Sequence, residues 1–325
     1  MSEKRVIAIA FSDLHLNMWS KFNQGNTRTL NGFDVLFRIA KLCKKYNCKA
    51  LFCGDLFHKP DSINQDLMDI VLNKFHQLDV NYPTFRCYAI NGNHDLSVVN
   101  HIERPNSGWV TKFSMLYNWL VDADCKEFQL GKFRCLGIPY IDHNQGLNEY
   151  IKNRKVDILL LHTDYPGAKD TDGRPVDSVE NLNINLFKPF KLVLCGHIHK
   201  PQRLGKKVYM VGAPQQQRRT DRSCDMGYLE IYDDLSVEFK YWDDYFNDGY
   251  PIFIDVYDES DIKDDGNYYT VIPKPTVKRV ESEHRISKQL TKRQLARRYM
   301  KTKGYKDKGR LNLLTSVLTK GEEQC

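Results

Sequence analysis

Val6-Ile7-Ala8-Ile9-Ala10-Phe11-Ser12-Asp13-Leu14-His15 runs six consecutive apolar residues into a carboxylate and an imidazole. An apolar run of this length suits a strand buried on both faces. The same arrangement recurs four times along the chain. Residues 50–53 lead into Gly54-Asp55-Leu56-Phe57-His58, 85–90 into Gly92-Asn93-His94-Asp95, 158–161 into His162, and 192–195 into Gly196-His197-Ile198-His199. Six of the ten histidines fall in these five places. Polar groups just beyond the carboxyl ends of strands in an open α/β sheet meet in one crevice, so the pattern predicts an α/β fold with five converging clusters.

The residue types narrow the chemistry. Carboxylates, one amide oxygen and imidazoles, with no cysteine among them, form a mixed oxygen/nitrogen donor set suited to manganese, iron or zinc. Asp55 ends the second strand between the other clusters and is the natural carboxylate to bridge two cations. Such a pair, held roughly 3.5 to 4 Å apart, stabilises both the attacking and the leaving oxygen of an in-line phosphoryl displacement. A phosphomonoester and a phosphodiester both fit this chemistry.

These residues resemble the calcineurin-like metallophosphoesterase family, whose pattern is Asp-x-His, Gly-Asp-x-x, Gly-Asn-His-Asp/Glu, His and Gly-His-x-His. All five blocks occur here in that order. The resemblance implies a two-sheet sandwich flanked by helices, with two divalent metal ions. Asp13, His15, Asp55 and His199 would hold one ion, and Asp55, Asn93, His162 and His197 the other. His94 would face the scissile phosphate and stabilise the transition state or protonate the leaving oxygen, a role suited to an imidazole.

Three features narrow the resemblance to the DNA repair exonucleases represented by bacterial SbcD. They are Phe11-Ser12-Asp13-Leu14-His15-Leu16 followed by a helix over 33–46, Gly54-Asp55-Leu56-Phe57-His58 with Pro60 and Ser62 close behind, and Tyr209-Met210-Val211-Gly212-Ala213-Pro214. The likeness covers about residues 4–242. It implies a manganese-dependent nuclease acting as a 3'–5' exonuclease on duplex ends and an endonuclease on single strands or hairpins. His58 would position the DNA, and an SMC-like ATPase, similar to SbcC, would be the partner. It also implies a homodimer through helices near 64–79 and 102–120. Leu67, Ile70, Val71, Phe75, Trp109, Phe113, Leu116 and Trp119 there suit either an intersubunit bundle or the chain's own core, and Leu67 to Phe75 suit the core of a crossover helix. The compact cap and tail resemble a phage-encoded member. One departure is Cys224-Asp225-Met226-Gly227-Tyr228, which lacks the lysine the subfamily often carries there. Just before it, Gln215, Gln216, Gln217, Arg218 and Arg219 suit either phosphate contact or a solvated loop. A phosphodiesterase or phosphatase acting on nucleotides or phosphoproteins is the alternative function. A scaffold without catalysis is disfavoured because no ligand position is substituted.

Composition and charge set the remaining bounds. The 325 residues, 41% of them hydrophobic, suffice for one large catalytic domain with appendages. The expected division is a catalytic domain over 1–247, a small β-rich cap over 248–281 and a basic helical tail over 282–325. The apolar run behind Met1-Ser2-Glu3-Lys4-Arg5 is too short for a signal peptide or a membrane span, so no membrane association is expected. Nine cysteines without a Cys-x-x-Cys pair fit reduced thiols in a cytoplasmic compartment.

Charge is uneven along the chain. Of a net charge of +7, residues 278–310 carry 13 Lys or Arg against 3 Asp or Glu, which leaves residues 1–277 slightly acidic. The basic segment suits a phosphate backbone or a solvated helix face. Helical spacing over 287–303 and again at Leu311, Leu314, Val317 and Leu318 suits docking on the ATPase or packing on the chain itself. No Walker loop, dinucleotide fingerprint or cysteine zinc motif occurs, so any ATP-driven step belongs to another chain.

Overall fold

The computed structural model describes residues 4–60, 62–97, 108–141, 146–176, 182, 184–246 and 248–274. In chain order the elements are β1 (Val6–Phe11), α1 (Thr27–Tyr46), β2 (Lys49–Phe52), α2 (Gln65–Asn81), β3 (Cys87–Ala89), α3 (Trp109–Ser114), β4 (Leu120–Asp122), β5 (Glu127–Leu130), β6 (Phe133–Ile138) and α4 (Leu147–Ile151). They continue with β7 (Ile158–His162), β8 (Leu192–Gly196), β9 (Gln202–Leu204), β10 (Val208–Met210), β11 (Gly227–Tyr232), β12 (Val237–Tyr241), α5 (Asp243–Phe246), β13 (Phe253–Val256) and β14 (Tyr268–Val271). One compact unit spans Met1–Ile272 and a second Pro273–Cys325. The helices expected over 287–303 and around Leu311 to Leu318 lie outside the described residues, as does the whole basic segment over 278–310.

Two six-stranded sheets make up most of the first unit, in the orders β12-β11-β1-β2-β3-β4 and β5-β6-β7-β8-β10-β9. β1, β2, β3 and β4 run parallel in the first sheet, and β6, β7, β8 and β10 in the second. Antiparallel strands close the edges: β11 and β12 on the first sheet, β5 and β9 on the second.

The period-2 alternation of a strand explains why the apolar runs are unbroken. On β1, Ala8 and Ala10 pack between the sheets with Leu51, Ile158, Leu160, Leu192 and Leu194. Ile9 and Phe11 face the other way, against Phe33, Leu36 and Ile39 of α1 and Val71 and Phe75 of α2. On the far side, Leu159, Leu161, Val193 and Cys195 meet Leu147, Ile151, Phe187 and Phe190. The central strands β1, β7 and β8 therefore bury both faces, and the result is the two-sheet sandwich flanked by helices.

Helix α1 starts six residues before the expected Phe33. Thr27 to Gly32 carry no apolar period, so propensity alone does not announce a helix there. Tertiary contacts hold it instead: Thr29 N donates to Asn23 Oδ1 at 3.0 Å and Thr29 Oγ1 donates to Asn17 O at 2.9 Å. Asn47 ends α1 in the left-handed conformation, with Lys44 and Lys45 beside the exposed carbonyls of the last turn. Helix α2 is capped by Asn64, whose side chain accepts from Leu67 N at 2.9 Å.

Leu67, Val71 and Phe75 are buried in the chain's own core, as a crossover helix requires. Phe113 and Trp119 are buried as well, while Leu116 is 64% exposed and Leu72 41%. Strands β13 and β14 pair in parallel as a small separate sheet within the first unit. Among the described residues no helix is long and apolar enough to cross a membrane.

Candidate metal centre

Parallel strands in each sheet deliver their carboxyl ends to one edge of the sandwich, and the chain turns sharply there. Asp13, His15, Asp55 and His197 all have positive φ, between 47° and 87°. Side-chain-bearing residues rarely adopt this conformation, and its cost is accepted mainly where function requires it. Backbone bonds lock the turns together: Asp13 N donates to Gly54 O at 2.9 Å, His15 N to Asp55 O at 3.0 Å and Leu16 N to Leu56 O at 2.8 Å. The glycines of the motifs are steric requirements. At Gly54, with φ +97°, a Cβ would overlap His162 Nδ1, and at Gly196 it would overlap Cys53 O and Ser12 Oγ.

The turns gather all nine sequence-designated side chains at one place. Asp13, His15 and His199 form one group of converging donor atoms, Asp55, His162 and His197 a second, and His15, His58 and His94 a third. His15 Nε2 and His199 Nε2 face each other at 3.1 Å. Asp55 Oδ2 lies 3.6 Å from His15 Nε2 and 3.4 Å from His162 Nε2, so one carboxylate oxygen addresses both of the first two groups. Asn93 Oδ1 is 3.1 Å from His162 Nε2 and 3.0 Å from His197 Nδ1.

Hydrogen bonds behind the rings decide which nitrogen points inward. His162 Nδ1 lies 2.6 Å from Cys53 O, an atom that can only accept, so Nδ1 carries the proton and Nε2 presents a lone pair in the neutral ring. His199 Nδ1 is held in the same way by Asp221 Oδ2 at 2.9 Å. His94 Nδ1 donates to His58 O at 2.7 Å, which turns its Nε2 toward the cleft. These donors fit a pair of divalent cations: neutral imidazole nitrogens, two buried carboxylates and an amide oxygen converge, with one carboxylate placed between the groups.

Electrostatics couples these groups to one another. Burial pushes His162 down, but the adjoining Asp55 carboxylate outweighs it and holds the imidazole up at about 9. Burial opposes ionisation of Asp55, yet His162 and His15 together keep it well below the usual carboxylate range. Burial, reinforced by His94, lowers His58, and burial also lowers His15 despite Asp55. At neutral pH the ionised Asp55 therefore faces a protonated His162, whose proton a bound cation would displace.

The cleft has a volume of about 420 Å³, with Trp19, His58, His94, Gln217 and Arg218 among its walls. The His58 ring stacks on His94 at 5.6 Å with an interplanar angle of 18°. The loop read as either phosphate-contacting or solvated divides its labour. Gln215, Gln216 and Gln217 are buried, and Gln217 Nε2 donates to Leu14 O at 2.9 Å, bracing the first turn. Arg218 remains on the cleft wall, whereas Arg219 pairs with Asp255 at 2.5 Å.

Two residues that the sequence left without a role organise the site. Asp221 is fully buried and, besides His199, accepts from Gln217 N at 2.9 Å and Arg218 N at 3.2 Å. Burial raises its carboxyl, but these bonds more than offset that and hold it low. No spacing signal marks it, because it lies 22 residues beyond His199 in a polar loop. Asp95 accepts from Leu56 N at 3.1 Å, Phe57 N at 3.0 Å and Gly92 N at 2.9 Å, tying the second turn to the third. Its place directly after His94 is the clue that residue order offers.

Known proteins share parts of this chain. A nuclease SbcCD subunit of Staphylococcus epidermidis is 30% identical over 91 residues, 27% of this chain and 22% of its own length. The Putative phosphoesterase 244L of Invertebrate iridescent virus 6 is 23% identical over 198 residues, 57% of this chain and 64% of its own. The chain therefore spans less than two thirds of either relative. The profile described as calcineurin-like phosphoesterase matches residues 8–201, more than half of the chain and the whole stretch from the first strand to the last histidine pair. The chain belongs to the calcineurin-like phosphoesterase family, a group of dimetal-dependent hydrolases of phosphoester bonds.

Proposed function

We propose that the chain is a two-metal DNA nuclease subunit, exonucleolytic in the 3'–5' sense on duplex ends and endonucleolytic on single strands or hairpins, working with an SMC-like ATPase in an SbcCD-like complex. Asp13, His15, Asp55 and His199 hold one ion in this reading, and Asp55, Asn93, His162 and His197 the other, manganese being the metal. Two divalent cations there supply Lewis acidity at the phosphoryl oxygens and an activated nucleophile at neutral pH. The chain's own residues do the rest. His94, oriented by the His58 carbonyl, directs Nε2 at the leaving oxygen, which it would protonate from its imidazolium form, and Asp55 fixes the His94 backbone by accepting from its N–H at 2.9 Å.

The observation that carries the nuclease reading over a general phosphatase is the His58 side chain. It stacks on His94 and lies beside Trp19 in the cleft wall, and in this reading it contacts the substrate beyond the scissile phosphate. Similarity to the staphylococcal SbcCD protein supports the same reading. The alternative, a phosphodiesterase or phosphatase acting on nucleotides or phosphoproteins, is favoured by the longer match to the viral phosphoesterase.

Digestion of end-labelled linear duplex DNA by the purified chain, in manganese, magnesium or chelator, separates the two. Manganese-dependent shortening that His94→Ala lacks is the expected result, with polarity read from the labelled end. Intact DNA alongside hydrolysis of a chromogenic phosphodiester overturns the nuclease reading for the free chain.

A further inference from the structure

Trp19 lies outside the five motifs, yet its half-buried indole forms part of the cleft wall. Its ring centroid is 5.1 Å from that of His58, at an interplanar angle of 46°. The Arg28 guanidinium sits over the indole at 3.9 Å from the centroid. Arg28 is only 8% exposed and is pinned by bonds to Lys21 O at 3.1 Å and Gln217 O at 2.6 Å. Behind it, Phe253 and Tyr268 of the β13–β14 sheet lie at 5.2 and 5.4 Å from the same guanidinium. Phe22 stacks on Tyr268 at 5.2 Å, closing the loop from the other side.

Burying an arginine is costly, and here the cost holds one aromatic ring in place beside the metal centre. The indole is braced by Arg28 and still lines the cleft.

We propose that Trp19 is a stacking platform for a nucleobase next to the scissile phosphate, so the centre takes nucleoside-bearing phosphodiesters whose base is unstacked from its neighbours. The inference rests on the phosphodiester reading of the same site and adds what is recognised beyond the phosphate. Every base presents a π-face, so the platform is indifferent to sequence and selects single-stranded or frayed ends. The small β13–β14 sheet then has a purpose, since it buttresses Arg28 and, through it, the platform.

The test is steady-state cleavage in manganese of an oligothymidylate and of the same oligonucleotide with abasic residues throughout, by the full chain and by Trp19→Ala and Trp19→Phe. On the normal oligonucleotide Trp19→Ala should raise KM roughly 5- to 150-fold, the equivalent of the ~1–3 kcal/mol of one base–aromatic stack. Trp19→Phe should recover most of that loss. Abasic substrate should cost the wild-type chain a comparable factor and cost Trp19→Ala nothing further, a pattern a merely structural role does not produce. An equal abasic penalty in both proteins overturns the platform while leaving the nuclease reading intact. Failure of the wild-type chain to cut any oligonucleotide, with a chromogenic phosphodiester still hydrolysed, overturns both.

Discussion

Replacing Asp221 with asparagine separates the support of a metal ligand from the ligand itself. The carboxylate accepts from His199 Nδ1 at 2.9 Å and from two backbone N–H groups, and it is fully buried. Asparagine keeps the shape and one acceptor oxygen, so the turn at Arg219–Ser223 should persist. What it loses is charge. A charge-assisted hydrogen bond contributes about 1.5–3 kcal/mol and a neutral one about 0.5–1.5, so roughly 1–1.5 kcal/mol of the support for His199 should go. That corresponds to about tenfold weaker binding of the ion that His199 helps to hold, at the lower end of the 10- to 100-fold typical of residues that orient metal ligands. Calorimetric titration of the metal-stripped chain with manganese measures it directly. The ion on the Asn93, His162 and His197 side should change less, because their hydrogen bonds do not involve Asp221. Unchanged affinity at both sites, with a lower melting temperature of the metal-free protein, would refute the reasoning and leave Asp221 as a loop brace only.

Three further substitutions probe other layers of the molecule. Asp55→Ala removes the one carboxylate oxygen within 3.6 Å of imidazoles from both groups, so both metals should be lost together in metal analysis of the purified protein. His58→Ser keeps the backbone carbonyl that orients His94, and should therefore slow cutting of duplex ends more than hydrolysis of a small phosphodiester; equal loss on both substrates counts against a DNA-positioning role. Phe75→Ala empties a fully buried site bordered by Phe33, Phe113 and Trp119 and should cost about 3–5 kcal/mol in denaturant unfolding. A loss under about 1 kcal/mol would mean that the α2 face repacks freely.

Much of this protein is legible in residue order, because its strongest signals are local. An apolar run buried on both faces needs no distant information to declare itself a strand, and a ligand placed just after it must sit at the strand's carboxyl end. That is why Val6–Phe11 is matched to the residue and the four other strands that lead into the motifs to within one or two. The same locality makes the nine side chains from Asp13 to His199 recognisable as one constellation before any distance is known. What only the tertiary structure decided are the contacts that span sequence. Asp221 reaches His199, Arg28 braces Trp19 against β13 and β14, Gln217 holds the first turn, and α1 extends back to Thr27 on bonds to Asn17 and Asn23. Each depends on where the polar loops come to rest once the sandwich has closed, and no periodicity in the chain encodes that position.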